Sequence, residues 1–357
     1  MEFDQVLERA QQAPPSREEA LFLLRHADSW DKAARLFAAA AAVRDRHVGR
    51  SIKLEGFICC ITPCHTDPPC RYCWRSSSLI AKDPFGEGTV LNPHELAEAA
   101  AALERVGMKR VELAGGTMRS PEGARRTLQA VRTVRQASAL EIWVNNGPSL
   151  TCKDDVLALR DAGAFGIACH FETISPKLWQ ELRPGESLEF RMQVAQWIDE
   201  AGVCGNNTLM VGLGQNWGDP PPYEQWVDFL FWLKQLNNFR YLEIGCFRPI
   251  PGTQMEDRPP GSVFQQAKLR AVARLLFPDI DISGASTPLG ILSGANRWGH
   301  STVGIAHRRR ANRCPEARGP LASRPLAEHR PLGKNLTISD LSPLARQMIS
   351  EMGMEVA

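Results

Sequence analysis

Five of the chain's ten cysteines fall within sixteen residues, CCITPCHTDPPCRYCW, from Cys59 to Trp74. Thiols at this density pair as disulfides, hold a zinc ion, or ligate an iron–sulfur cluster. A structural zinc site takes four ligands, commonly two C-x2-C pairs or one pair with histidines at fixed spacing. Only one such pair is present here, CRYC, although His65 and the remaining cysteines keep a zinc reading open. Cys64, Cys70 and Cys73 form C-x5-C-x2-C. Three thiolates on one loop suit a [4Fe–4S] cluster whose fourth iron stays open to an external ligand. The alternative set is Cys60 with Cys70 and Cys73; in either set Cys59 is a strand-end residue.

The loop must be held by what surrounds it, and the surroundings repeat. Residues 1–50 carry apolar positions at three- and four-residue spacing and read as a helical extension. From residue 51, strand-like runs alternate with helical ones: SIKLEGFICC, KRVELAGGT, LEIWVNNG, AFGIACHFET, NNTLMVGLG, RYLEIGCFRPI and DIDISGAS. Several intervening helices end in glycine (ERVG, RDAG, DEAG), the C-cap signal of αβ units. Strands alternating with helices imply right-handed βαβ units and a parallel sheet. With six or seven repeats the expected fold class is α/β, a full or nearly full (β/α) barrel of the TIM type over residues 51–304. In a barrel, functional groups belong at the C-terminal ends of the strands. The cysteine loop, GGT, NNGPS, HFET, GLG and RPIPGT all fall there. Residues 305–335, rich in Arg and Pro, read as an irregular segment about where an eighth strand is expected, and 336–357 as a helical tail capped at Asp340 or Ser342.

Bulk composition narrows the setting. A net charge of +2 and 43% hydrophobic residues indicate a cored domain with no global field for nucleic acid or a membrane surface. The N-terminus lacks an apolar signal-peptide core, and no apolar run reaches the ~18 residues of a membrane span. These features place the chain in the cytoplasm, where thiols stay reduced and disulfides are disfavoured.

On these motifs the chain resembles the radical S-adenosylmethionine (SAM) superfamily, specifically its biotin synthase-like branch, over roughly residues 50–300. Most of that family uses C-x3-C-x2-C; the longer first gap here is similar to a minority subgroup and is joined by likeness to hydrogenase-cofactor maturation enzymes. The resemblance implies that Cys64, Cys70 and Cys73 hold the cluster and that Tyr72 lies against the adenine of SAM. Gly115, Gly116 and Thr117 match the motif that holds the methionine amino group. Glu172 and Arg191 match an acidic residue and an arginine that contact SAM, the arginine facing its carboxylate. Gly212 and Gly214 match a glycine motif flanking the adenine, while Asn145 and Ser149 continue the pocket; Pro251 and Gly252 shape the loop after the sixth strand.

The implied activity is reductive cleavage of SAM to a 5′-deoxyadenosyl radical that takes hydrogen from a small organic substrate in cofactor or natural-product biosynthesis. An electron donor such as flavodoxin or ferredoxin is implied as partner. Trp143, His170 and Arg248 are candidate substrate contacts. Sulfur insertion as in biotin synthase is disfavoured, because the second and third strands carry no cysteine and Cys204 falls too early for a second cluster. A non-catalytic zinc-binding barrel is the reading from another class. Methyltransferases and methylthiotransferases of the same superfamily usually carry further domains for which this chain has no room.

Overall fold

In a computed structural model, residues 1–79, 86–283, 298–307 and 328–357 are described. Three helices come first: α1 (Phe3–Gln12), α2 (Arg17–His26) and α3 (Trp30–His47). The second starts with a capping box in which Ser16 accepts from the Glu19 amide and the Glu19 carboxylate accepts from the Ser16 amide. The third is capped by Ser29.

Eight parallel strands follow: β1 (Ser51–Cys59), β2 (Arg110–Ala114), β3 (Glu141–Asn145), β4 (Ala164–Ala168), β5 (Cys204–Val211), β6 (Phe239–Cys246), β7 (Asp281–Ser283) and β8 (Trp298–His307). Each pairs with its successor, and β1 pairs in parallel with β8 through Lys53↔Trp298 and Gly56↔Val303. The sheet therefore closes into a full eight-stranded barrel. Helices α4 (Pro93–Arg105), α5 (Pro121–Ala137), α6 (Lys153–Asp161), α7 (Pro176–Leu182), α8 (Leu188–Glu200), α9 (Tyr223–Leu233) and α10 (Val263–Leu276) lie between the strands in sequence. The N-terminal extension packs α3 on α10 and α2 on α9.

The C-terminal part differs from the sequence reading. The eighth strand begins before the Arg/Pro-rich stretch and runs into its first three residues, and Glu328–Leu332 within that stretch is β9. It forms an antiparallel hairpin with β10 (Leu336–Asp340), which joins β8 in turn. Pro331 and the charged flanks hide the strand signal, and Pro331 is tolerated because β9 lies at the sheet's edge. The tail is helical only in α11 (Ser342–Glu351), ahead of the short β11 (Glu355–Val356) that pairs with the start of β1. The seventh strand-like run beyond Ser283, residues 308–327 and Cys314 lie outside the described residues.

The lower barrel interior is charged rather than aliphatic. The Arg110 guanidinium lies 3.9 Å from the Trp143 ring centroid and 4.9 Å from that of Tyr241. It pairs with Glu55 and Glu141, each at 3.3 Å. Tyr241 shares a 2.8 Å hydrogen bond with Ser283. Trp143, expected as a substrate contact, is thus a floor element packed beneath the upper chamber. Breaking a buried ion pair from one side costs about 3–5 kcal/mol. Arg110→Ala is therefore expected to lower the urea denaturation midpoint markedly; an unchanged midpoint would contradict the floor's structural role.

Candidate active site

The cysteine loop leaves the C-terminal end of β1 and is clamped on both sides. On one side the backbone continues the β1–β2 ladder: Ile61 N–H donates to Ala114 O, Gly116 N–H to Thr62 O at 2.9 Å, and His65 N–H to Thr117 O at 2.8 Å. The chain passes so close that a Cβ on Gly116 would sit 2.4 Å from the Cys64 amide nitrogen and 2.5 Å from its Cα. Only glycine fits there. Ser149 is fully buried and serves this junction, accepting from the Met118 amide at 2.9 Å and donating to Asn146 Oδ1 at 2.8 Å.

On the other side the loop meets the turn from α7 to α8. Arg71 N–H donates to Leu182 O at 2.9 Å, and the Thr66 hydroxyl donates to Glu186 Oε1 at 3.2 Å. The Tyr72 hydroxyl donates to Glu172 Oε2 and accepts from Arg183 Nε at 2.6 Å. Arg183 pairs with Glu172 at 2.7 Å and with Glu186 at 3.4 Å, and Glu186 pairs also with Arg191. Glu172, Arg183, Glu186 and Arg191 thus form a ladder of alternating charge reaching from the end of β4 to α8. Burial alone would push the Glu186 carboxyl up, but the Arg191 and Arg183 guanidiniums outweigh it and hold it at about 2, so Glu186 stays charged across the physiological range.

Glu172 sits at φ +66°, in the left-handed region that costs a non-glycine residue about 1 kcal/mol or more. The backbone holds it there through Glu172 N–H to Thr208 O at 2.7 Å and Met210 N–H to Glu172 O at 3.0 Å. Such strain is characteristic of ligand-holding positions.

Cys64, Cys70 and Cys73 are free, partly buried thiols. Burial pushes the Cys70 thiol up to about 12 and the Cys73 thiol up to about 11. Without metal they are protonated, so a bound cluster would displace their protons. Among the described residues no three Cys, His, Asp or Glu side chains converge on a point suited to a single ion. A [4Fe–4S] cluster asks for something else, one thiolate at each of three separate iron corners. The donor set fits it: three thiols on one glycine-cradled loop. Cys60, itself in the left-handed backbone region at φ +70°, places its sulfur 3.6 Å from the Thr89 hydroxyl.

The remaining expected residues divide between chamber and frame. Asn145 donates to Glu112 at 2.6 Å inside the barrel, and the His170 ring meets the Thr208 hydroxyl at 2.6 Å. Thr117 and Arg191 line a cavity of about 230 Å³ together with His65, Asp67, Arg119 and Glu186. Arg191 donates to His170 O, and its buried Nε has no partner. Gly212, at φ +85°, makes its close approach to Gly261, where a Cβ would lie 2.4 Å from the Cα; Gly214 borders a groove lined by Leu178 and Gln215. Arg248 is solvent-exposed. Sequence reasoning missed Arg183 and Glu186, which read as charges at a helix end, and Asn206, a buried amide with neither end hydrogen-bonded. No signal short of the fold marks them.

The Radical SAM superfamily model matches residues 59–227. An uncharacterized protein of Methanocaldococcus jannaschii is 32% identical over 275 residues, 76% of this chain and 69% of the relative. The 3-methylornithine synthase of Methanosarcina barkeri is 25% identical over 305 residues, 83% of this chain and 82% of the relative. The crystal structure of a methylornithine synthase superposes with a TM-score of 0.74 at 22% identity, covering 99% of this chain and 97% of the other.

The contact between Gly116 and Cys64 generates a direct test. Gly116→Ala should displace the loop backbone and reduce iron bound on anaerobic reconstitution several-fold, with far-ultraviolet circular dichroism of the barrel preserved. Wild-type iron content in Gly116→Ala would show that the loop does not depend on this packing.

Proposed function

The chain belongs to the radical SAM superfamily, and on that premise we propose that it abstracts hydrogen from a small polar organic substrate in the biosynthesis of a cofactor or natural product. It is an enzyme of a family that uses a [4Fe–4S] cluster and SAM. When bound, these supply a 5′-deoxyadenosyl radical through reductive cleavage of the SAM sulfonium bond. The chain's own residues divide the remaining work. Cys64, Cys70 and Cys73 would hold the cluster, and the backbone of Gly115 and Gly116 would hold the methionine amino group of SAM, with Gly116 packed on the Cys64 backbone. Tyr72, Thr117, Asn145, Glu172 and Arg191 would hold SAM, with Ser149, Gly212 and Gly214 shaping the surrounding loops.

Glu172 offers an acceptor for an ammonium or ribose hydroxyls, and Arg191 offers its unpartnered Nε toward a carboxylate. Below them, Glu112, Asn145, His170, Asn206 and Thr208 give the chamber polar walls. Such walls suit a substrate rich in hydrogen-bonding groups rather than an aliphatic one. The Trp143–Arg110–Tyr241 stack closes the bottom and excludes water from that side. A flavodoxin- or ferredoxin-type protein is the proposed electron donor.

A single observation carries this reading: three thiols on the loop after β1, clamped between Gly116 and the Glu172–Arg191 ladder at the barrel's C-terminal face. Among the described residues, the arrangement of the other cysteines does not support sulfur insertion. Cys204 packs by Trp143 and Tyr241 at the floor, while Cys169 is buried with its thiol donating to Arg191 O.

The reconstituted, reduced protein should convert SAM to 5′-deoxyadenosine and methionine. Cys64→Ala, Cys70→Ala and Cys73→Ala should each abolish this, whereas Cys59→Ala and Cys60→Ala should retain it. Retained cleavage in Cys64→Ala with loss in Cys60→Ala would reassign the ligand set.

A further inference from the structure

The ladder contains a residue that no motif assigns. Arg183 closes the C-terminus of α7, its amide donating to Trp179 O at 2.8 Å. Its side chain is 8% exposed and stacks 4.8 Å from the Trp179 ring centroid. The guanidinium spends its nitrogens on four partners from three separate segments: Nε on Tyr72 of the cysteine loop, Nη2 on Glu172 and Nη1 on His170 O after β4, and Nη1 also on Glu186 before α8. Tyr72 and Glu172 are also bonded to each other, so the three side chains form a closed triangle. The same turn touches the loop a second way, since a Cβ on Gly185 would lie 2.4 Å from Pro68 O.

A planar, delocalised fork can hold a hydroxyl and a carboxylate at fixed mutual positions; an ammonium on a flexible stem cannot. The backbone of Glu172 is already locked at the end of β4, so what remains free is its side-chain direction, and Arg183 sets it. Tyr72 lies between Cys70 and Cys73, so the same guanidinium also restrains the segment that carries two of the three thiols. Arg183 itself is enclosed by these partners and does not line the neighbouring cavity.

We propose that Arg183 is a positioning residue that couples the cysteine loop to the SAM pocket, making the placement of Tyr72 and of Glu172 conditional on one another. This rests on the reading of that pocket as the SAM site. The residue touches no ligand; it acts through the two side chains that would.

The test is equilibrium SAM binding to the reconstituted, unreduced holoenzyme, with iron content and melting temperature measured on the same samples. Arg183→Lys keeps the charge and the stem. It should weaken SAM binding by about tenfold, the effect of losing one charge-assisted contact, with iron content and melting temperature near wild type. A double-mutant cycle separates coupling from a merely structural role. Arg183→Lys with Tyr72→Phe, and Arg183→Lys with Glu172→Gln, should each be non-additive in SAM affinity, whereas a merely structural loss at Arg183 would add to either. If Arg183→Lys fails to fold, Arg183→Gln, which keeps N–H donors without the charge, takes its place in both cycles: non-additive effects support the coupling, and additive ones overturn it. SAM affinity within twofold of wild type in Arg183→Lys, or a loss that tracks a fall in iron and melting temperature, overturns the proposal. A wild-type holoenzyme that does not bind SAM overturns the pocket reading and the coupling with it.

Discussion

Closure of the sheet between β1 and β8 is the constraint from which the rest follows. A parallel barrel has no free edge, so every strand is fixed by two neighbours and all C-terminal ends emerge on one face. Because β1 lies between β2 and β8, the loop that leaves it is set beside the turn after β2. The ladder bonds carried on past Cys59 by Ile61 and Gly116 extend that order into a segment of irregular backbone. A cysteine loop on an open, frayed sheet would have only its own prolines to shape it.

The barrel secures one side of the loop, and charge secures the other. Four buried or half-buried ionic groups, Glu172, Arg183, Glu186 and Arg191, alternate in sign along the wall from β4 to α8. Such a ladder is poor evidence for stability, since desolvation offsets most of the attraction. Its worth lies in geometry: charge-assisted hydrogen bonds fix directions, and the groups fixed here border the loop and the cavity. The strained Glu172 backbone fits the same pattern, a local cost accepted where a side chain must point one way.

Much of this was legible in the amino-acid sequence because barrel physics is periodic. Apolar strand runs and glycine C-caps marked the βα units, and the motifs fell at the strand ends where chemistry belongs. What stayed hidden depended on contacts between segments distant in sequence. Arg183 and Glu186, in LRPGE, look like solvated charges until α7 brings them against Tyr72. Arg110 and Glu55 look like the polar half of a strand alternation, yet they form the barrel floor. The β9–β10 hairpin was obscured by Arg and Pro residues that suit an edge strand as well as an irregular segment. Among the described residues no helix is long and apolar enough to cross a membrane.

The central claim is that three thiolates of one loop hold a cluster with one iron left open to SAM. Mössbauer spectroscopy of protein reconstituted with 57Fe, before and after SAM is added, tests it most directly. The account predicts about four irons per chain, one of which changes its signal when SAM binds while the other three do not. Protein that takes up zinc in place of iron, or a four-iron cluster whose spectrum is indifferent to SAM, would contradict it.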